Sequence, residues 1–140
     1  MKITSTVKYA GNLGTSCVHL KSKSEIQTDA PIDNNGKGQK FSPTDIVATA
    51  LASCMMTVMG IKAEQNGIKF NNLIASVEKV MESNPRRISE IKIIMTVDED
   101  WTKKERQIME RTARTCPVAK SLHPDLLQEV TFIYTRDSIS

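Results

Sequence analysis

The chain has 140 residues, enough for one domain of ordinary size with a single core, and it carries a formal net charge of +3. Its 19 Lys and Arg residues are interspersed with 16 acidic residues, and aromatic residues make up only 4% of the chain. Neither a basic surface nor a set of stacking side chains is indicated, so nucleic acid is not an expected partner. We therefore expect a single soluble domain spanning residues 1–140.

The N-terminal third is predicted to be mainly strands. Its first residues contain no apolar run between a basic start and a cleavage site, so they do not indicate a secretory signal, and a cytoplasmic location is expected. Short β-prone runs predict strands over 3–9, 16–21 and 24–28. The polar, glycine-containing residues 33–40 that follow are a predicted loop.

A long helix is predicted next. Ser42 is a typical N-cap, Pro43 suits the first helical position, and Asp45 lies near the positive end of the helix. The run from Ile46 to Ile61 has no charged residue but is short of the length needed to cross a bilayer, so no membrane association is expected. Being apolar on nearly all sides, the helix is predicted to lie buried and to end at Gly67.

The remainder alternates strands with one amphipathic helix. Alternating apolar residues predict strands over 73–81 and 91–97, with a turn at Asn84 and Pro85 between them. A second helix is predicted from Thr102, which forms a capping box with Glu105, to about Cys116, and a last strand covers 130–134. This order of elements indicates an α+β fold rather than a nucleotide-binding α/β fold.

Common catalytic motifs are missing from the sequence. It has no glycine-rich phosphate loop, no GxSxG, no HExxH and no CxxC. His19, on a predicted strand, and His123, in a predicted loop, are not at zinc-ligand spacing from any cysteine. We therefore expect no metal and no bound cofactor. A Cys-His hydrolase remains open, because it requires only that Cys54 and His19 meet in the fold.

The three cysteines, Cys17, Cys54 and Cys116, are too widely spaced for a disulfide framework in a reducing compartment. A cysteine in an apolar helix is often only a packing residue, and no role is expected for Cys17. Cys54, however, is followed by Met55, Met56 and Met59. Their flexible apolar side chains are suited to line a site for an apolar substrate.

Cys116 is predicted to close the second helix and to face its apolar side. Two thiols that point into one core from two helices are a possible peroxidatic and resolving pair, in which the first forms a sulfenic acid and the second condenses with it.

Two stretches carry a resemblance to a known family. The run SPTDIVATALASC, followed by TCPVAKSLHPDL, and the tetrapeptide TDAP before the loop resemble the OsmC/Ohr family over nearly the whole chain. The resemblance implies curved antiparallel sheets around two central helices and an intertwined homodimer. It also implies a thiol peroxidase that reduces organic hydroperoxides and is restored by a dithiol, with Cys54 as the peroxidatic residue and Cys116 as the resolving residue.

The chain departs from the family pattern near the thiol. The family's peroxidases hold the thiol ionised with an N-terminal arginine and a glutamate near the start of the cysteine helix. Here the first arginine is Arg86, and Thr44 stands at the glutamate position with Asp45 one place later. Lys21 or Lys23 is the available replacement cation, without the bidentate fork of arginine. Helix capping is the expected role of Asp45.

Two functional hypotheses follow from these observations. The first is a thiol-dependent peroxidase acting on organic hydroperoxides. The second is a non-catalytic OsmC-like dimer that responds to redox state or binds an apolar small molecule beside the methionines.

Overall fold

The computed structural model describes residues 2–137, and the chain forms two compact units that meet in sequence between Val47 and Ala48. The N-terminal unit contains an antiparallel sheet of β1 (Ser5–Gly11), β2 (Gly14–His19) and β3 (Glu25–Asp29), in that order. Asn12 and Leu13 join β1 to β2 with positive φ angles of 53° and 63°, as a tight hairpin turn requires. The predicted loop 33–40 has no further strand, and one 3-10 turn, Ile32–Asn34, overlaps its start.

The C-terminal unit contains a second sheet in the order β4-β5-β6. Strands β4 (Leu73–Glu82) and β5 (Arg87–Val97) are antiparallel, whereas β6 (Leu127–Tyr134) runs parallel to β5. A parallel pair needs a crossover connection. Two helices supply it, α2 (Lys103–Ala113) and α3 (Pro117–Ser121); α1 is the long helix that precedes β4. Antiparallel sheets were expected, and the parallel pairing of β6 with β5 differs from that expectation.

Helix α1 (Pro43–Asn66) begins where the sequence predicts. Asp45 Oδ2 accepts a hydrogen bond from the backbone N–H of Ser42 at 3.0 Å, and Ser42 Oγ accepts one from the N–H of Asp45 at 3.1 Å. These reciprocal bonds satisfy backbone donors at the helix start, which confirms the capping role of Asp45. Gly67, with φ of +63°, follows the last helical residue as predicted.

Burial of α1 differs from the prediction. Leu51, Met55 and Met59 are at most 1% exposed, but Ile61 on another face is 53% exposed and Thr57 is also exposed. Within this chain the helix is therefore buried on one side only, because the sheet of the C-terminal unit can cover just one of its faces. By length and composition α1 could cross a membrane, although the core helix of a soluble protein meets the same criteria.

The core of the C-terminal unit confirms the predicted alternation in β5. Ile91, Ile93, Met95 and Val97 are all at most 1% exposed, as expected for one face of a strand with a period of two. They pack with the buried face of α1 and with Met109 of α2. The predicted capping box at the start of α2 is present, with Thr102 and Glu105 exchanging hydrogen bonds. The core thus fixes α1, α2 and β5 around one cluster of buried side chains.

A buried acid holds the segment between α1 and β4. Glu99 is 3% exposed, and its Oε2 accepts hydrogen bonds from the backbone N–H groups of Asn71 at 2.6 Å and Asn72 at 3.1 Å. Nearby, the Trp101 indole N–H donates to the carbonyl of Lys69 at 2.5 Å. Buried polar groups are tolerated when they are paired in this way, so Glu99 ties the loop to the end of β5.

Candidate active site

Cys54 lies in the middle of α1, between the buried and the exposed faces of the helix. Its neighbours Leu51 and Met55 are buried, Ser53 is exposed, and Cys54 itself is partly buried and packs against the core. Its position on a regular helix fixes the direction of the side chain, because the backbone has little freedom there. The thiol is therefore anchored at the core and still accessible from outside it.

Cys116 lies at a different place from the one predicted. Helix α2 ends at Ala113, and Cys116 is the N-cap of α3, with φ of −64° and ψ of 145°. The cause is Pro117, since a proline disfavours the helical conformation of the residue before it and suits the first position of a new helix. The prediction that Cys116 faces the core is nevertheless confirmed, because it is 0% exposed.

The two thiols lie close enough for Cys54 to affect the ionisation of Cys116. Burial is the main cause that raises the pKa of Cys116, and a hydrogen bond and charge interaction with Cys54 raise that pKa further. Backbone N–H groups of Ala119 and Val118 oppose the shift, the first donating to Cys116 Sγ at 3.3 Å. The net result is that the pKa of Cys116 lies above its ordinary value.

The methionines after Cys54 do not line an open cleft. Met55 and Met59 are 1% and 0% exposed and belong to the packed core, while Met56 is partly buried. The sequence-based expectation of a methionine-lined binding cleft is therefore wrong for the two buried residues. Both side chains pack into the core of the C-terminal unit on the buried face of α1.

The histidines have local structural roles. His19 ends β2, and its Nδ1 lies 2.6 Å from Ser22 Oγ and accepts a hydrogen bond from the Ser22 backbone N–H at 3.3 Å. His123 lies in a loop as predicted, and its Nδ1 accepts from the N–H of Asp125 at 3.0 Å. Each ring nitrogen Nδ1 thus stabilises a turn, and these contacts give no support to a Cys-His hydrolase.

The remaining candidates belong to the N-terminal unit. Cys17 lies on β2, partly buried, with its Sγ 3.9 Å from Thr15 Oγ1. Lys21 and Lys23 lie in the exposed turn after β2. Among residues 2–137 no group of three or more histidine, cysteine or acidic side chains is arranged to hold a metal ion.

Sequence reasoning missed α3 and the backbone donors that it directs at Cys116. The signal was present in the letters TCPVAK, because a proline at the first helical position predicts that the residue before it is an N-cap. It was masked by the periodic apolar pattern of α2, which continues in register up to Cys116.

Comparisons with known proteins place this site in a family. The family model described as OsmC-like protein matches residues 36–128, which include both Cys54 and Cys116. None of the curated proteins matches the chain.

Solved structures agree with the family match. A Psychrobacter arcticus 273-4 protein, provisionally described as an osmotic stress induced and detoxification response protein, is 52% identical with a TM-score of 0.91, over 94% of this chain and 96% of that one. A Legionella pneumophila organic hydroperoxide resistance protein OsmC (14% identity, TM-score 0.70, 94% and 97% covered) shares the fold. So does the organic hydroperoxide resistance protein OhrB of Bacillus subtilis (15% identity, TM-score 0.66, 93% and 98% covered).

The family match covers well over half of the chain, and the α+β fold with two sheets is that of these relatives. The protein is a member of the OsmC-like family.

Proposed function

We propose that this protein is a thiol peroxidase that reduces organic hydroperoxides, with Cys54 as the peroxidatic residue and Cys116 as the resolving residue. The observation that carries the proposal is the proximity of the two thiols: Cys54 on α1 is one of the groups that raise the pKa of Cys116 at the start of α3. Relatives described as organic hydroperoxide resistance proteins share the fold and support the substrate class.

The environments of the two thiols divide the roles between them. Cys54 is partly buried, so a hydroperoxide can reach it, whereas Cys116 is fully buried. Burial raises the pKa of Cys116, which favours its protonated form and suits it less to the first attack on the peroxide. The more accessible thiol is therefore the one expected to attack the peroxide.

The reaction proceeds in two steps. The Cys54 thiolate attacks the outer oxygen of the hydroperoxide, the O–O bond breaks, and Cys54 becomes a sulfenic acid. The alkoxide that leaves takes up the proton that the Cys54 thiol had released and becomes an alcohol. The Cys116 sulfur then attacks the Cys54 sulfur, water leaves with the Cys116 proton, and a disulfide forms. A dithiol reductant restores both thiols by exchange and is itself oxidised to a disulfide.

Peroxide titration followed by intact mass tests this proposal. Reduced protein treated with one equivalent of cumene hydroperoxide is expected to lose two hydrogens and two free thiols, and Cys17→Ser is expected to behave in the same way. Cys116→Ser is expected to gain one oxygen at Cys54, while Cys54→Ser stays reduced. Wild-type protein that remains fully reduced after minutes in excess hydroperoxide would refute the peroxidase.

The exposed face of α1 supports a second part of the proposal, a homodimer. Within the chain α1 leaves Val47 and Ile61 37% and 53% exposed, and exposed apolar residues that lie together mark interaction surfaces. A second copy can cover this face with the same helix, because a two-fold interface is self-complementary. Light scattering tests it with Ile61→Glu, which is expected to give monomers, and with Ile74→Glu on the exposed side of β4 as the matched control that stays dimeric.

A further inference from the structure

A cleft of about 540 Å³ lies at one end of the second sheet, where β4 ends, β5 begins and the loop after α3 enters β6. This volume is within the range of small-molecule sites. Neither Cys54 nor Cys116 is among the residues that line it. The cleft is therefore a feature of the fold that the thiol chemistry does not use.

The floor of the cleft is apolar. Ile88 and Leu126 pack against the core below, Val80 is partly buried, and Leu127 is 62% exposed. Covering a solvent-exposed apolar floor with an aliphatic group is favourable, because it removes apolar surface from water. The cleft thus favours a ligand with a hydrocarbon portion.

The polar residues of the cleft carry an uncompensated negative charge at Glu90. This residue lies on β5, partly buried, and has the apolar Val80 and Leu127 as its cross-strand neighbours. Among residues 2–137 its carboxylate has no hydrogen-bond or ion-pair partner. Lys92, two residues further along β5, has Glu78 and Glu129 as its own cross-strand neighbours.

Arg87, which also lines the cleft, does not offset this charge. Arg87 donates to Glu82 at 2.9 Å and to the carbonyls of Ser83 and Pro85 at 3.2 and 2.9 Å. The guanidinium therefore belongs to the β4–β5 hairpin, and Glu82 neutralises it. Asp125 at the rim, 3.8 Å from His123, adds a second carboxylate that no lysine or arginine pairs with among residues 2–137.

We propose that this cleft binds an organic ammonium ion with a short aliphatic body. The ammonium group would donate hydrogen bonds to the Glu90 carboxylate, which has neither a cation nor a donor within the described part of the chain, 2–137. The aliphatic part would cover the floor formed by Ile88, Leu126 and Leu127. A partly buried carboxylate without a partner beside an apolar floor is complementary to this class of ligand and opposed to carboxylates, phosphates and other anions.

Titration with hexylammonium tests the proposal, followed by amide and methyl NMR shifts of the reduced full-length protein. Saturable binding is expected to shift the signals of Val80, Ile88 and Leu126, while hexanol and hexanoate bind at least about tenfold more weakly. Glu90→Gln is expected to weaken hexylammonium binding about tenfold or more. Glu129→Gln, on the same exposed sheet face but outside the cleft, is the matched control with unchanged affinity.

The same experiment separates this site from the thiol chemistry. Cys54→Ser is expected to bind hexylammonium as the wild type does, so a failed peroxidase test leaves the cleft proposal standing. Glu90→Gln is expected to keep its unfolding midpoint, because glutamine has nearly the same shape and no hydrogen bond or ion pair of Glu90 within residues 2–137 is lost. Equal affinities for hexylammonium and hexanol, unchanged affinity in Glu90→Gln, or shifts located away from the cleft would each overturn the proposal.

Discussion

Oxidation of the cysteine pair should stabilise the protein strongly. Cys54 and Cys116 are 62 positions apart, and cross-linking a loop of that length lowers the entropy of the unfolded chain by an amount worth about 4 kcal/mol at 25 °C. Cys54 is close enough to raise the pKa of Cys116 in the reduced protein, so we expect the bond to close without a large movement of the chain. For a chain of this size the gain corresponds to a rise of roughly 10–15 °C in Tm.

Thermal unfolding by circular dichroism checks this magnitude. Protein oxidised with one equivalent of cumene hydroperoxide is compared with protein kept in a phosphine reductant, both in a Cys17→Ser background that excludes other disulfides. Cys116→Ser is expected to show no gain on the same treatment. An oxidised protein with a confirmed disulfide but an equal or lower Tm would show that bridging distorts the fold, and would refute the argument that the thiols are placed for a bond.

Three further predictions concern the reduced protein. Met55→Ala should lower the unfolding free energy by about 2–5 kcal/mol in urea, because Met55 is 1% exposed and leaves a cavity. Glu99→Gln should cost about 1–3 kcal/mol in the same assay, since the charged acceptor of the Asn71 and Asn72 N–H groups is lost. The free energy of unfolding should fall as pH rises above about 9.0, the ordinary pKa of cysteine. The cause is the raised pKa of Cys116, because the folded state then keeps a proton that the unfolded state loses. Unfolding curves measured from pH 8 to 11 check this, and Cys116→Ser should flatten the slope.

Much of the fold could be predicted because the relevant signals are local. Alternation at Ile91, Ile93, Met95 and Val97 needs only a strand with one buried face, and the capping boxes of α1 and α2 involve residues three positions apart. Strand boundaries were less accurate. The predicted strand 130–134 starts at Leu127 in the structure, since pairing with β5 rather than composition sets where β6 begins.

The sequence by itself determined which residues are available for chemistry: three cysteines, no metal-binding motif and one long apolar helix. Only the tertiary structure decided that Cys54 and Cys116 lie close together. They are 62 positions apart, so the distance between them depends on how the intervening elements β4, β5 and α2 pack. It also decided that α1 is covered on one face only and that Glu90 has no partner among residues 2–137 beside an apolar floor. Periodicity reports how a segment can bury its side chains, whereas distances between segments are set by the packing of the whole core.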